Sequence, residues 1–160
     1  MNRLATLFVV LFMSGGVTLR AQTATSAQAQ QPAQETAAPS EMKVMREFRG
    51  VKFGLKSEEV QAIMGKPTRT GTSWEEYQIG DGDLLTVHYD SQKVVKVIQL
   101  YFSNPKKAPT FADVLGNAEI QQKANGAKYA RQDINAEHFW ITMYQSKTGD
   151  VTTITISRSN

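Results

Sequence analysis

The chain contains no cysteine. That excludes a disulfide framework and the processed cysteine of a bacterial lipoprotein, so stability must come from packing alone and no lipid anchor is expected. Histidine is nearly absent: His88 and His138 are the two in the chain. Neither has a second histidine or a carboxylate at ligand spacing on its own element, so neither a metal nor a cofactor is expected. No nucleophile elbow, phosphate loop or dinucleotide fingerprint occurs. Asp81-Gly82-Asp83 lacks the further ligands of a calcium loop and reads as a turn. Glu75 and Glu76, adjacent in a strand, point to opposite faces and form no acid/base pair. Excess charge is missing too. Setting aside Arg3 and Arg20, which fall in an apparent leader, lowers the basic count from 18 to 16 against 15 acidic residues. With no basic stripe interleaved with aromatics, nucleic acid is not an expected partner.

Long apolar runs are also lacking. The segment from Leu4 to Met13 is shorter than the roughly 20 residues that cross a bilayer. With Arg3 before it and small, turn-forming residues leading to Ala21 after it, residues 1–21 read as a secretory signal peptide. Cleavage after Ala21 fits best; Leu19 is large for its place, which leaves Ala27 and Ala29 as alternatives. The expected location is periplasmic or secreted. Residues 22–45 read as a disordered Gln/Ala/Pro-rich linker, because Gln22 to Glu41 is nearly all Gln, Ala, Thr, Ser and Pro and cannot bury a core. It acts as a spacer, or as a tether or docking arm. Glu41 to Lys52 fits two patterns: Met42, Met45 and Phe48 follow a helical stripe, while Phe48, Val51 and Phe53 suit an edge strand.

What the chain does have is a dense stretch from Phe53 to Phe102. Ser57 starts a helix with Glu58 and Glu59 in its first turn, Val60, Ile63 and Met64 form its apolar stripe, and Gly65 with Pro67 ends it. Three strand-like runs follow: Thr72 to Ile79, Leu84 to Asp90 and Lys93 to Phe102. A two-residue turn at Ser91-Gln92 would set Tyr89 opposite Val94, Val87 opposite Lys96 and Leu85 opposite Ile98. Leu85, Val87, Tyr89, Val94, Ile98, Leu100 and Phe102 then share the buried face. Leu84, Thr86, His88, Val95, Val97, Gln99 and Tyr101 share the more solvated one.

After the connector Ser103 to Pro109 the plan repeats. Thr110 and Asp113 form a capping box, Phe111, Val114 and Leu115 repeat the stripe, and Gly116 stops it. At a constant offset of 55 residues, Trp74 aligns with Tyr129, Leu85 with Trp140 and Tyr89 with Tyr144. The apolar set of the second pass is instead Phe139, Ile141, Met143, Ile154 and Ile156, which leaves Trp140 and Tyr144 on the open face once a bulge or longer turn shifts the phase. The expected fold is α+β: an antiparallel sheet with short helices on one face, built from two tandem helix-plus-three-strand units, about 53–102 and 110–158, in a domain spanning 46–160.

Gly54-Leu55-Lys56-Ser57-Glu58-Glu59-Val60, then Met64-Gly65-Lys66-Pro67, the Trp74 and Tyr77 strand and the hairpin with Leu85-Thr86-Val87 and Val94-Val95-Lys96-Val97 together resemble the SmpA/OmlA family. That family includes the small lipoprotein subunit of the outer-membrane β-barrel assembly machinery. The tandem arrangement resembles the β-lactamase-inhibitor-protein fold, whose open sheet face grips an enzyme. The chain departs from both, lacking the lipid-bearing cysteine of the first and the disulfides of the second. The resemblances imply a non-catalytic extracytoplasmic protein-binding or scaffold module in cell-envelope or outer-membrane assembly. Alternatives are an inhibitor of a secreted enzyme and an enzyme of unknown type. The expected partner is a protein, either an envelope protein or a secreted enzyme, with membrane association only through that partner. Trp140, Tyr144, Tyr101 and His88 are the candidate partner-binding residues, since Trp and Tyr dominate interface hot spots; the plainer reading puts these four in the core.

Overall fold

Ten strands and two short helices follow one another between residues 43 and 159, the part of the chain that the computed structural model describes. The leader at 1–21 and nearly all of the linker lie outside the described residues. All described residues belong to one compact unit, 37–160.

The described chain enters through Val44, which is buried, and through Met45, whose N–H donates to the Val114 carbonyl at 2.9 Å. A hairpin follows, β1 (Glu47–Phe48) with β2 (Val51–Lys52). Its turn places Arg49 at φ 51° and Gly50 at φ 85°, the pair of positive angles that matches the twist of a two-residue hairpin. Of the two patterns open for this segment, the strand is the one adopted. Helix α1 (Ser57–Met64) comes next, then β3 (Arg69–Thr70), β4 (Trp74–Gln78), β5 (Leu84–Tyr89) and β6 (Val95–Phe102). The second pass gives α2 (Phe111–Leu115), β7 (Gln121–Gln122), β8 (Lys128–Ile134), a 3-10 turn at Asn135–Glu137, β9 (Phe139–Gln145) and β10 (Thr152–Arg158).

Strands β3 to β10 make one eight-stranded antiparallel sheet in the order β3-β4-β5-β6-β10-β9-β8-β7. Each pass thus fills half of the sheet, and the halves meet where β6 pairs with β10. The expected α+β class, with helix-plus-three-strand units and helices on one face, is overturned. The described chain is mostly antiparallel sheet, its helices are eight and five residues long, and each pass has a fourth, two-residue strand at the sheet edge. The physical reason lies in the helix stripes: of Val60, Ile63 and Met64, only Val60 is buried, and Ile63 is 46% exposed. Such a helix is an appendage to the sheet, which buries most of the apolar surface.

The buried face reads across the strands as Tyr77, Leu85, Leu100, Ile154, Met143 and Ala130, all but sealed from solvent. Phe48 packs edge-on against Phe102 with ring centroids 6.5 Å apart, and Phe53 against Phe139 at 5.9 Å, so the N-terminal segment lies over both halves of this face. Val60, Val114 and Leu115 complete the core cluster.

Candidate functional site

The opposite face of the sheet carries two rows of aromatic side chains. Along one row the register sets Trp74 beside His88, then Val97, Ser157, Trp140 and Asp133. Along the other stand Leu84, Tyr101, Thr153, Tyr144 and Tyr129. Thr86, Gln99, Thr155 and Thr142 lie between them. The alternation of side chains sends these residues outward because their neighbours in each strand form the core.

All four sequence candidates lie on this face. Tyr101 and Tyr144 are each 38% exposed and flank Thr153, which puts their strands about 10 Å apart. Trp140 and His88 are half-buried and share the other row, separated by Ser157 and Val97. The candidates therefore spread over the patch instead of converging on a point. Two further aromatics that the sequence does not single out stand on the same face: Tyr129, directly opposite Tyr144, and Trp74, directly opposite His88. The signal for both was the alternation of their own strands, since Tyr77 and Ala130 take the inward positions.

Arginine fixes both tryptophans. The Arg131 guanidinium lies 4.6 Å from the Trp140 ring centre, and Arg69 lies 5.8 Å from that of Trp74. Arg131 also grips Asp133 with a fork of hydrogen bonds, the shortest 2.6 Å from Nη2, which holds the Asp133 carboxyl below the usual carboxylate range. Lys123 lies 4.9 Å over Tyr129. These contacts orient the rings before any ligand arrives.

A second polar centre lies on the buried side. Glu75 is 8% exposed, and its carboxylate accepts three hydrogen bonds: from Gln61 Nε2 at 2.6 Å on Oε1, and from the Tyr77 and Tyr89 hydroxyls at 2.6 and 2.5 Å on Oε2. Burial, and then the hydrogen bond to Glu75, lift both tyrosines well above their ordinary range, so both remain donors. Glu75 and Tyr77 share a face by strand alternation, but Gln61 comes from α1 and no sequence spacing announces it. The cluster ties α1 to β4 and β5, and three of the carboxylate's roughly four acceptor sites are taken up in doing so. Among the described residues no group of three or more His, Asp or Glu side chains is placed to hold a metal ion.

No protein-family model matches the sequence, and no curated protein does. In fold the chain is similar to a solved structure, that of a DUF4309 family protein (YjgB) from Bacillus subtilis. The TM-score is 0.50 at 12% identity, over 74% of this chain and 88% of that one. At such an identity the likeness concerns the fold alone.

Proposed function

We propose that the chain is a non-catalytic extracytoplasmic binding module, and that the open sheet face holds an envelope protein during cell-envelope assembly. The observation that carries this reading is the outward face itself, which the other described residues leave open and where Trp74, Tyr101, Tyr129, Trp140 and Tyr144 stand among Thr, Ser and Gln. Protein interfaces are enriched in Tyr, Trp and Arg and depleted of Lys, Glu and Asp at their centres. A polar sheet face that only met water would have no use for five large rings, two of them held by arginine. The leader-like residues 1–21 and the resemblance to the SmpA/OmlA family support the envelope as the setting.

The test is capture from the cell envelope with the full chain and with the double variant Trp140→Ala/Tyr144→Ala. Both side chains are on the solvent side of the sheet, so the variant should keep most of its stability while capture of the partner falls at least tenfold. Equal capture by the two proteins, or collapse of the variant's fold, would remove the open face from this role. Recovery of a single hydrolase, inactive while bound, would point to an enzyme inhibitor instead.

A further inference from the structure

At the hairpin end of the first half of the sheet, a cleft of about 510 Å³ is lined by Thr72, Ser73, Tyr89, Asp90, Ser91, Lys93 and Lys96. Its position follows from the β5–β6 turn. The Asp90 N–H donates to the Val94 carbonyl and the Lys93 N–H to the Asp90 carbonyl, while Asp90 Oδ1 accepts the N–H groups of Gln92 and Val94. The one acidic side chain in the lining thus has its Oδ1 committed to its own turn.

Lys93 sits at φ 62°, a conformation that glycine or asparagine occupies without the strain a lysine incurs. The turn's own hydrogen bonds hold this conformation, and strain of this kind clusters at binding sites. Here the Lys93 ammonium reaches across the cleft to the Thr72 carbonyl at 2.5 Å, which uses one of its three donors and leaves two. Lys96 stands at the irregularity in the β5–β6 register, where the step from the Tyr89–Val95 pair to the His88–Val97 pair leaves it unmatched. The lining thereby brings together two lysines, the hydroxyl-bearing residues Thr72, Ser73 and Ser91, and Tyr89, whose own hydroxyl is engaged by Glu75.

We infer that this cleft binds the phosphate group of a small phosphorylated molecule. Lysine is a point-charge phosphate binder, and hydroxyls donate to the remaining phosphate oxygens. The volume lies within the roughly 300–1,000 Å³ of small-molecule sites, which leaves room for the body that bears the phosphate. The site is separate from the open sheet face and does not depend on that face's role.

Glycerol 3-phosphate and vesicles of phosphatidylglycerol are the probes, with phosphatidylcholine vesicles as control, and amide chemical shifts of the full chain are the readout. Shifts confined to Ser91–Lys96 and Thr72–Ser73 with glycerol 3-phosphate identify a free phosphomonoester as the ligand class. The same shifts with phosphatidylglycerol vesicles alone identify a lipid headgroup. Lys93→Gly accepts the turn's φ without strain, so it should keep a cooperative melt while weakening binding at least tenfold, and Lys96→Gln should weaken it similarly. No shift with either probe, or unchanged affinity in a folded Lys93→Gly, would overturn the site.

Discussion

Three residues donate to the buried carboxylate of Glu75, and the two tyrosines among them set how the protein responds to alkali. Tyr77 and Tyr89 bind their protons more tightly in the folded state than in the unfolded chain, where a tyrosine titrates near pH 10. Their contribution is therefore complete below pH 10. Above it the unfolded state releases protons that the folded state retains, so stability falls as pH rises, by up to about 1.4 kcal/mol per pH unit for each tyrosine. Urea midpoints measured between pH 8 and pH 11 should stay level and then decline, and Tyr89→Phe should flatten the decline. Thr152 presents the converse case. Its hydroxyl is fully buried, with no hydrogen-bond partner among the described residues. Thr152→Val keeps the shape and removes the unsatisfied group, so the denaturation midpoint should rise by the equivalent of about 1 kcal/mol.

The helices are governed by their ends. Helix α2 starts with a capping box through Thr110 and Asp113 as the sequence indicates, while α1 has only half of one, the Lys56 N–H donating to Glu59 at 2.7 Å, because a lysine side chain offers no acceptor; its cap lies one residue before the expected Ser57. The stop of α1 is Gly65 at φ 82° and ψ −159°, a region that is essentially glycine's alone. An added Cβ would meet no atom within 4 Å, so the effect of Gly65→Ala is purely one of backbone strain. It should lower stability by about 2 kcal/mol, read from the urea midpoint. The strands were legible to a different depth. Alternation assigned β5 and most of β6 to their faces, and it failed at Val94 and Val95. The assumed two-residue turn is longer, closing through Lys93, and the true pairs are Tyr89 with Val95, Val87 with Ile98 and Leu85 with Leu100. The offset of 55 between the passes exchanges faces from β5 to β9, where Leu85 is sealed in the core while Trp140 lies on the open side, yet keeps them from β4 to β8, where Trp74 and Tyr129 both lie on the open side. Two-residue strands such as Arg69–Thr70 carry no period, and Gln61 meets Glu75 only through the tertiary fold, which is why neither was readable in advance.

The two halves of the molecule are tied by more than a shared sheet. β6 and β10 pair over six residues of each strand, with Ile98 opposite Ile156 and Leu100 opposite Ile154, all buried to within 1% exposure. The segment that precedes the first half also crosses to the second: Met45 bonds to Val114, Phe53 packs on Phe139, and Arg46 pairs with Glu137 at 2.6 Å. That surface ion pair adds little by itself, but the apolar contacts mean that neither half keeps its cover when the other is removed. A fragment of residues 41–105 would expose one flank of β6 as an unpaired edge and strip Phe53 of its partner. About sixty residues without disulfide or metal lie near the limit for an independent core. The whole chain should therefore unfold in one cooperative urea transition, with circular dichroism and tryptophan fluorescence coincident, although Trp74 and Trp140 report on different halves. The fragment should show no cooperative transition of comparable midpoint. A fragment as stable as the whole, or two separated transitions in the intact chain, would mean that the β6–β10 junction joins two independent sheets instead of completing one.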